Sequence, residues 1–400
     1  MKILLANFTK MVNDSGGMSK VMCAFANEMV SRGHEVTIVH SDDKDGDFYY
    51  PVDSKIKCYD LRKLGAKRIN LPLWKIVERE IWRPFNKKKT EEARHLYFHN
   101  KLAPYCEELI NKIRPDVIIS SNINTSGMII CKTKTSIPVI TMSHGDVSDY
   151  FTTYPDDSIK SMTLSKVVQV LLPSYKKMLA KGAPGSNVVV IGNAVPQYDF
   201  YVDLSKNKST YTIVTVGRLT KNIKRQHLLI QAFAKVADKF LNWNLEIWGA
   251  KDRATYYKQL QAMIKVNHLD NRIFLKGATK DVPNDVLKHA DIFAFPSSAE
   301  GFGLALAEGM SAGLPAVGYK SCNGVNELIK DGKTGILCDD GVEPLSQALE
   351  KLMRNQALRV QMGKAAKEDM EQFAPEKIWN QWEELMKKLV KNNNNNTNKQ

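Results

Sequence analysis

The chain has 400 residues, 43% of them hydrophobic, and its 57 Lys and Arg against 43 Asp and Glu leave a formal charge of +14. That length exceeds what one hydrophobic core usually supports, so two domains of ordinary size are expected, and the apolar content excludes a disordered protein. The charge suits nucleic acid, anionic lipid or a phosphorylated ligand without choosing among them.

No run of about 18 uncharged apolar residues occurs, so no membrane-spanning helix is expected. The N-terminus is apolar too briefly for a secretory signal, and residues 2–6 read as a buried strand. The turn Asp14-Ser15-Gly16-Gly17 follows, and residues 18–32 have helical spacing with Val21, Met22, Phe25, Ala26 and Met29 on one face. Gly33 stops that helix, and further strands are expected at 35–40, 117–119, 139–142, 167–172 and 188–191. Continuous apolar strands between helices predict a parallel sheet covered on both faces. The polar stretch 203–209 reads as an interdomain linker, after which strands at 211–216, 244–248, 272–275 and 291–295 and a helix at 227–240 predict a second doubly wound sheet. The expected domains are therefore 1–202 and 210–375. A helix over 376–390, with Trp379 and Trp382 on its apolar face, can pack on either domain, and the asparagine-rich 391–400 is expected to be a disordered tail. Cys23, Cys58, Cys106, Cys131, Cys322 and Cys338 lie far apart without metal-ligand spacing and read as buried cytosolic thiols.

The strongest local signal is the segment from Glu300 through Gly301, Phe302 and Gly303 to Glu308, which follows an apolar strand and opens into a helix. Glycine-rich loops at the carboxyl ends of strands commonly bind ligands, and free backbone N–H groups at a helix start suit a diphosphate. Glu300 and Glu308 could share a cleft; equally, Glu300 could stabilise the helix start and Glu308 lie on the surface. The glycine pattern fails as a nicotinamide fingerprint at Leu306. Arg218 and Lys224, with Arg225 beside them, suit a pyrophosphate at a strand-to-helix crossing, or form a solvated loop. Gly16 and Gly17 bind phosphate or make a tight turn. His144 follows a strand, and both a structural and a functional reading are open.

In this order, these pieces resemble the bacterial family 4 glycosyltransferases, which have the GT-B fold of two Rossmann-like doubly wound domains facing a cleft. The resemblance runs from Ser15-Gly16-Gly17 to Thr334-Gly335-Ile336-Leu337, and its most specific element is the E-x7-E pair Glu300 and Glu308. It implies that Arg218 and Lys224 neutralise a donor diphosphate, that Glu300 contacts the transferred sugar beside the Gly301-Phe302-Gly303 backbone, and that Glu308 binds ribose. It further implies that Gly16 and Gly17 close over the diphosphate, that His144 lies near the reacting centre, and that no metal or other cofactor is needed. Three departures stand out. An extra residue between Arg218 and Lys224 makes Lys221 a rival, Lys251 follows Trp248-Gly249-Ala250 where an acid is usual, and Ser321-Cys322-Asn323-Gly324 varies locally. The D-x-D spacing in 42–47 reads as a solvated loop.

Between Arg62 and Lys101, cations including Lys75, Arg79, Arg83, Lys87, Lys88 and Lys89 interleave with Leu73, Trp74, Val77, Ile81, Trp82 and Phe85 at helical spacing, and Pro84 ends or kinks the helix. Such a helix can lie in an anionic membrane interface; the alternative is a helix packing Trp74 and Trp82 into the core. The resulting expectation is a retaining glycosyltransferase at the cytoplasmic face of the cell membrane. It would move a hexose or N-acetylhexosamine from a UDP-sugar to a lipid-linked or other glycan acceptor in cell-surface polysaccharide synthesis, without nucleic acid. A catalytically silent nucleotide-sugar-binding subunit and a transferase acting on a soluble acceptor are the alternatives.

Overall fold

Nearly continuous runs of Val, Ile and Leu are stable as strands only where both faces of a sheet are covered, and such runs build both halves of this chain. The computed structural model describes residues 1–64 and 67–397. It divides into Met1–Gly192 with Ile378–Gln400 as one unit and Asn193–Lys377 as the other.

The first unit contains β1 (Lys2–Asn7), β2 (Glu35–His40), β3 (Lys57–Asp60), the short antiparallel pair β4 (Lys63–Leu64) and β5 (Lys67–Arg68), then β6 (Val117–Ser120), β7 (Val139–Ser143), β8 (Val167–Val170) and β9 (Val188–Val190). Its seven-stranded sheet has the order β3-β2-β1-β6-β7-β8-β9. β1 pairs in parallel with both β2 and β6, Ile3 lying opposite Val36 and Val117. The chain winds out from β1 in one direction and resumes at β6 in the other, so the carboxyl ends of β1 and β6 form a topological switch point.

The second unit repeats this plan with β10 (Tyr211–Val216), β11 (Trp243–Trp248), β12 (Ile273–Gly277), β13 (Ile292–Phe295), β14 (Ala316–Tyr319) and β15 (Gly335–Cys338), in the order β12-β11-β10-β13-β14-β15. Ile213 lies opposite Leu245 and Ile292, which puts the switch between β10 and β13. Phe233, Trp243, Leu245, Tyr319 and Leu349 pack its core. The strands expected from apolar runs are all present; β3, β4, β5, β14 and β15 are additional.

Two expected boundaries are corrected. The second unit starts at Asn193, because residues 193–202 are tied to it: Val195 N donates to Phe373 O (2.8 Å), Lys367 Nζ to Tyr198 O (3.0 Å) and Phe200 O (2.8 Å). The polar stretch 203–209 is likewise part of that unit, with Leu204 buried and Lys208 paired to the buried Asp291 at 2.8 Å. The C-terminal helix runs over Pro375–Thr397, so residues 391–397 are helical rather than disordered, while 398–400 lie outside the described residues. A helix already nucleated on a packed face extends at little cost through poor helix formers such as Asn. That helix packs on the first unit: Trp379 and Trp382 meet Phe25 edge-on at 5.9 and 5.3 Å, and Glu383 takes Arg32 (3.3 Å) and His34 (3.1 Å).

Candidate active site

In the second unit, four loops leaving the carboxyl ends of β10, β11, β13 and β14 meet, and glycines let their backbones touch. A Cβ on Gly249, whose φ is +154°, would fall 1.9 Å from Gly217 O. One on Gly303, at φ +85°, would fall 2.7 Å from Gly324 O, and one on Gly324 would fall 2.5 Å from Glu300 Cβ. No residue with a side chain fits these positions without moving a loop. Gly249 follows β11 directly, a signal in the sequence for such a contact point, whereas Gly324 lies five residues beyond β14 and carries no such signal.

Gly303 opens the helix Leu304–Ser311, which has no side-chain cap and no acid in its first turn, so its backbone N–H groups and positive dipole end are available to an anion. Glu300 stands in the loop before it. Its Oε1 is ion-paired with Lys224 Nζ, and that ammonium also lies 4.5 Å from the centroid of the Phe295 ring. The loop after β10 thus places Lys224 against Glu300 across the switch point, while Arg218 on the same loop is exposed. Lys221, the rival lysine, is exposed and lines a separate groove with His227 and Tyr256. Glu308 is buried, not a surface residue, at 4% exposure. Its charge, after burial, raises the pKa of the neighbouring Tyr198 phenol. Phe302 is also buried and packs edge-on against Phe373 at 5.1 Å, so only its backbone can face a ligand; Gly301 beside it is half-buried.

Arg225 has a different task from its neighbour. Its Nε donates to Pro296 O (3.0 Å), and its Nη2 donates to Ser297 O (3.3 Å) and pairs with Asp340 Oδ1 (2.8 Å). It does so from a left-handed backbone, φ +48°, which costs a non-glycine residue about 1 kcal/mol.

In the first unit, Gly16 precedes and Gly17 begins the helix Gly17–Ser31. A Cβ on Gly17 would meet nothing within 4 Å, so the chain's own packing does not require glycine there. The loop leading to it is held by Asp42, which is buried rather than solvated: its carboxylate accepts from Met11 N (3.0 Å), Val12 N (3.0 Å) and His40 Nδ1 (2.8 Å). Burial opposes the charge, but the hydrogen bonds from His40, Met11 and Val12 outweigh it and hold the carboxyl below its usual range. Residues 43–47 are exposed as expected. His144 follows β7 with Nε2 3.2 Å from Met142 Sδ, and desolvation pushes its pKa down to about 4. It is therefore neutral at physiological pH and offers a hydrogen bond rather than a charge. The Ser143 hydroxyl beside it bonds the Tyr150 hydroxyl at 2.9 Å.

The cationic segment forms the helix Leu73–Trp82, of which no residue is buried, and the helix Lys87–Ile113. Leu73 (80% exposed), Trp74 (61%), Val77 (58%), Ile81 (58%) and Phe85 (81%) stand in solvent, so Trp74 is not a core residue; Trp82 is half-buried under Lys89, whose Nζ lies 3.9 Å from its ring centroid. Several of the cations are engaged locally: Lys75 with Glu78, Arg79 and Arg83 with Glu80, Lys88 with Asp156. Lys87 is exposed. Among the described residues no helix is long and apolar enough to cross a membrane.

Residues 15–197 match the family described as Glycosyltransferase Family 4, and residues 197–369 match Glycosyl transferases group 1. An uncharacterized glycosyltransferase of Haemophilus influenzae is 24% identical over 95% of this chain and 98% of its own length. The amylovoran biosynthesis glycosyltransferase AmsD of Erwinia amylovora is 22% identical over 94% of this chain and 97% of its own. A solved S. aureus TarM variant, in complex with fondaparinux, alpha-GlcNAc-glycerol and UDP, superposes with a TM-score of 0.74 at 16% identity, covering 96% of this chain and 99% of that one. That likeness shows the shared GT-B fold.

Proposed function

The chain belongs to the family 4 glycosyltransferases, and on that premise we propose that it transfers a hexose or N-acetylhexosamine from a UDP-sugar, with retention of configuration, to a lipid-linked or other glycan acceptor in cell-surface polysaccharide synthesis. The observation that carries this reading is the Lys224–Glu300 pair across the ends of β10 and β13, beside Arg218 and an uncapped helix start. The UDP bound to TarM supports the choice of carrier, and the name of AmsD supports the polysaccharide setting.

In this mechanism the bond from the sugar's anomeric carbon to the diphosphate breaks, and Arg218, Lys224 and the N–H groups near Gly303 stabilise the charge left on the diphosphate. When the diphosphate takes Lys224, Glu300 is released to orient the sugar; it is not assigned the role of a hydrolase nucleophile. The acceptor hydroxyl attacks from the side the diphosphate leaves, forms the new C–O bond, and gives its proton to a departing phosphate oxygen. Glu308 holds the ribose hydroxyls, the backbone at Gly16 and Gly17 contacts the diphosphate, and neutral His144 hydrogen-bonds near the reacting centre. The two cations take the place of a metal. The exposed face of the 73–82 helix rests on the anionic inner surface of the cell membrane, near a lipid-linked acceptor.

A thermal-shift and sugar-release screen over a panel of nucleotide sugars, with chelator present, tests this. Stabilisation by UDP-sugars with slow release of one sugar of unchanged anomeric configuration is expected. Binding without release or transfer would instead make the chain a silent donor-binding subunit, and a chelator-sensitive reaction would overturn metal independence.

A further inference from the structure

Arg225 adjoins the lysine proposed to bind the diphosphate, yet its guanidinium is turned to the protein. It joins the loop after β10 to the Pro296 and Ser297 carbonyls after β13 and to Asp340 after β15, and lies 4.7 Å from the Tyr319 ring centroid. Asp340 in turn accepts from Ser321 Oγ, at the head of the loop after β14. Ser298 completes the seam, its N donating to Ile223 O (2.8 Å) and its Oγ to Asn222 O (2.7 Å). The far side of Glu300 is backed by Gly324, three residues beyond Ser321, where even a Cβ would fall 2.5 Å from Glu300 Cβ. Glu300 is thereby gripped from both sides by loops that one arginine and one aspartate fasten together.

We propose that Arg225, through Asp340 and Ser321, is a positioning residue that sets where Glu300 meets the transferred sugar. The role rests on the glycosyl-transfer reading above. A forked guanidinium is needed because two carbonyls and a carboxylate are held at once, which an ammonium does not reproduce. The strap fastens the loop of Glu300 to the loop of Lys224, and Lys224 keeps further contacts of its own with Glu300 and the Phe295 ring, so its loss falls first on the sugar.

The test compares Arg225→Lys, Arg225→Gly and Asp340→Asn with the wild-type chain, measuring UDP affinity by calorimetry and sugar release or transfer by kinetics. Arg225→Gly removes the strap at a backbone position that glycine adopts without strain, so a turnover defect in it does not come from a strained backbone. Turnover is expected to fall about 10- to 100-fold in both Arg225 variants, the size of a displacement near 1 Å, with UDP affinity unchanged. Asp340→Asn should show a smaller loss of the same kind. Because the Asp340 side chain is 41% exposed, that variant folds even if the Arg225 variants do not. Parallel loss of UDP affinity and turnover, or full turnover in Asp340→Asn and Arg225→Gly, overturns the proposal. If the wild-type chain binds no nucleotide at all, the functional reading itself fails before any variant is made, and this role falls with it.

Discussion

The two units share one plan and differ in what stands at the carboxyl ends of their central strands. Around β10 and β13 the loops carry fixed charges, with Arg218, Lys224, Glu300 and Glu308 set among glycines that let backbones touch. Around β1 and β6 hydroxyl and amide groups stand at the strand ends, with charges farther along the loop: Ser121 Oγ donates to Asn7 Oδ1 (2.9 Å), Thr125 Oγ1 accepts from Phe8 N (3.0 Å), Lys10 is exposed, and Asp14 accepts from Ser19 Oγ (2.7 Å). The carboxylate nearby, Asp42, is taken up by backbone N–H groups. The frame alone therefore says little about ligand; the residues at its rim do. A cluster of fixed charges suits a nucleotide diphosphate, and hydroxyl and amide groups suit a polyhydroxyl ligand.

The sharpest way to break that contrast is to remove charge from the second rim. Lys224→Ala or Arg218→Ala should lower turnover by about 10²–10³, the usual loss for one preorganised donor in a transition state, with the fold intact by circular dichroism. Near-normal kinetics would strip these residues of their role. On the first unit the largest effect should come from apolar residues rather than cations, since many of the latter are already paired. Replacing Trp74 and Phe85 with Ser should cost roughly 1.5–3 kcal/mol of membrane binding for each side chain that inserts fully. Co-sedimentation with phosphatidylglycerol-rich vesicles would read it, and equal binding by the variant and the wild type would refute the membrane contact.

The last contrast is in pH. His99 is buried and held down to about 3 by desolvation, and His144 to about 4. Both bind a proton near 6.5 when unfolded, so the unfolded chain takes up more protons and folding weakens as pH falls from about 6.5 toward 4, by up to about 1.4 kcal/mol per pH unit for a fully shifted group. Both residues belong to the first unit, which should lose thermal stability before the second in scans at pH 5. His99→Gln should reduce that sensitivity.

Apolar runs showed where both sheets would form, because a strand buried on two faces has no alternative use for such residues. The weaker strands β3, β4, β5, β14 and β15 escaped, being short or interrupted by Gly. Lys224, Glu300 and Glu308 were legible as a motif with residues of the right type after the right strands. Asp42 and Arg225 were not: each looks like one of several neighbouring charges, and only folding shows that one is buried under backbone N–H groups and the other is bent inward. The exposure of Trp74 was also invisible, since an amphipathic pattern has the same period whether its apolar face meets a core or solvent.

The return of the C-terminal helix to the first unit has a consequence for how the chain is made. Phe25, fully buried, is covered by Trp379 and Trp382, which leave the ribosome only after all of Asn193–Lys377. At about 5–20 residues per second that interval lasts tens of seconds, during which the nascent first unit presents an uncovered apolar seat to chaperones and to other chains.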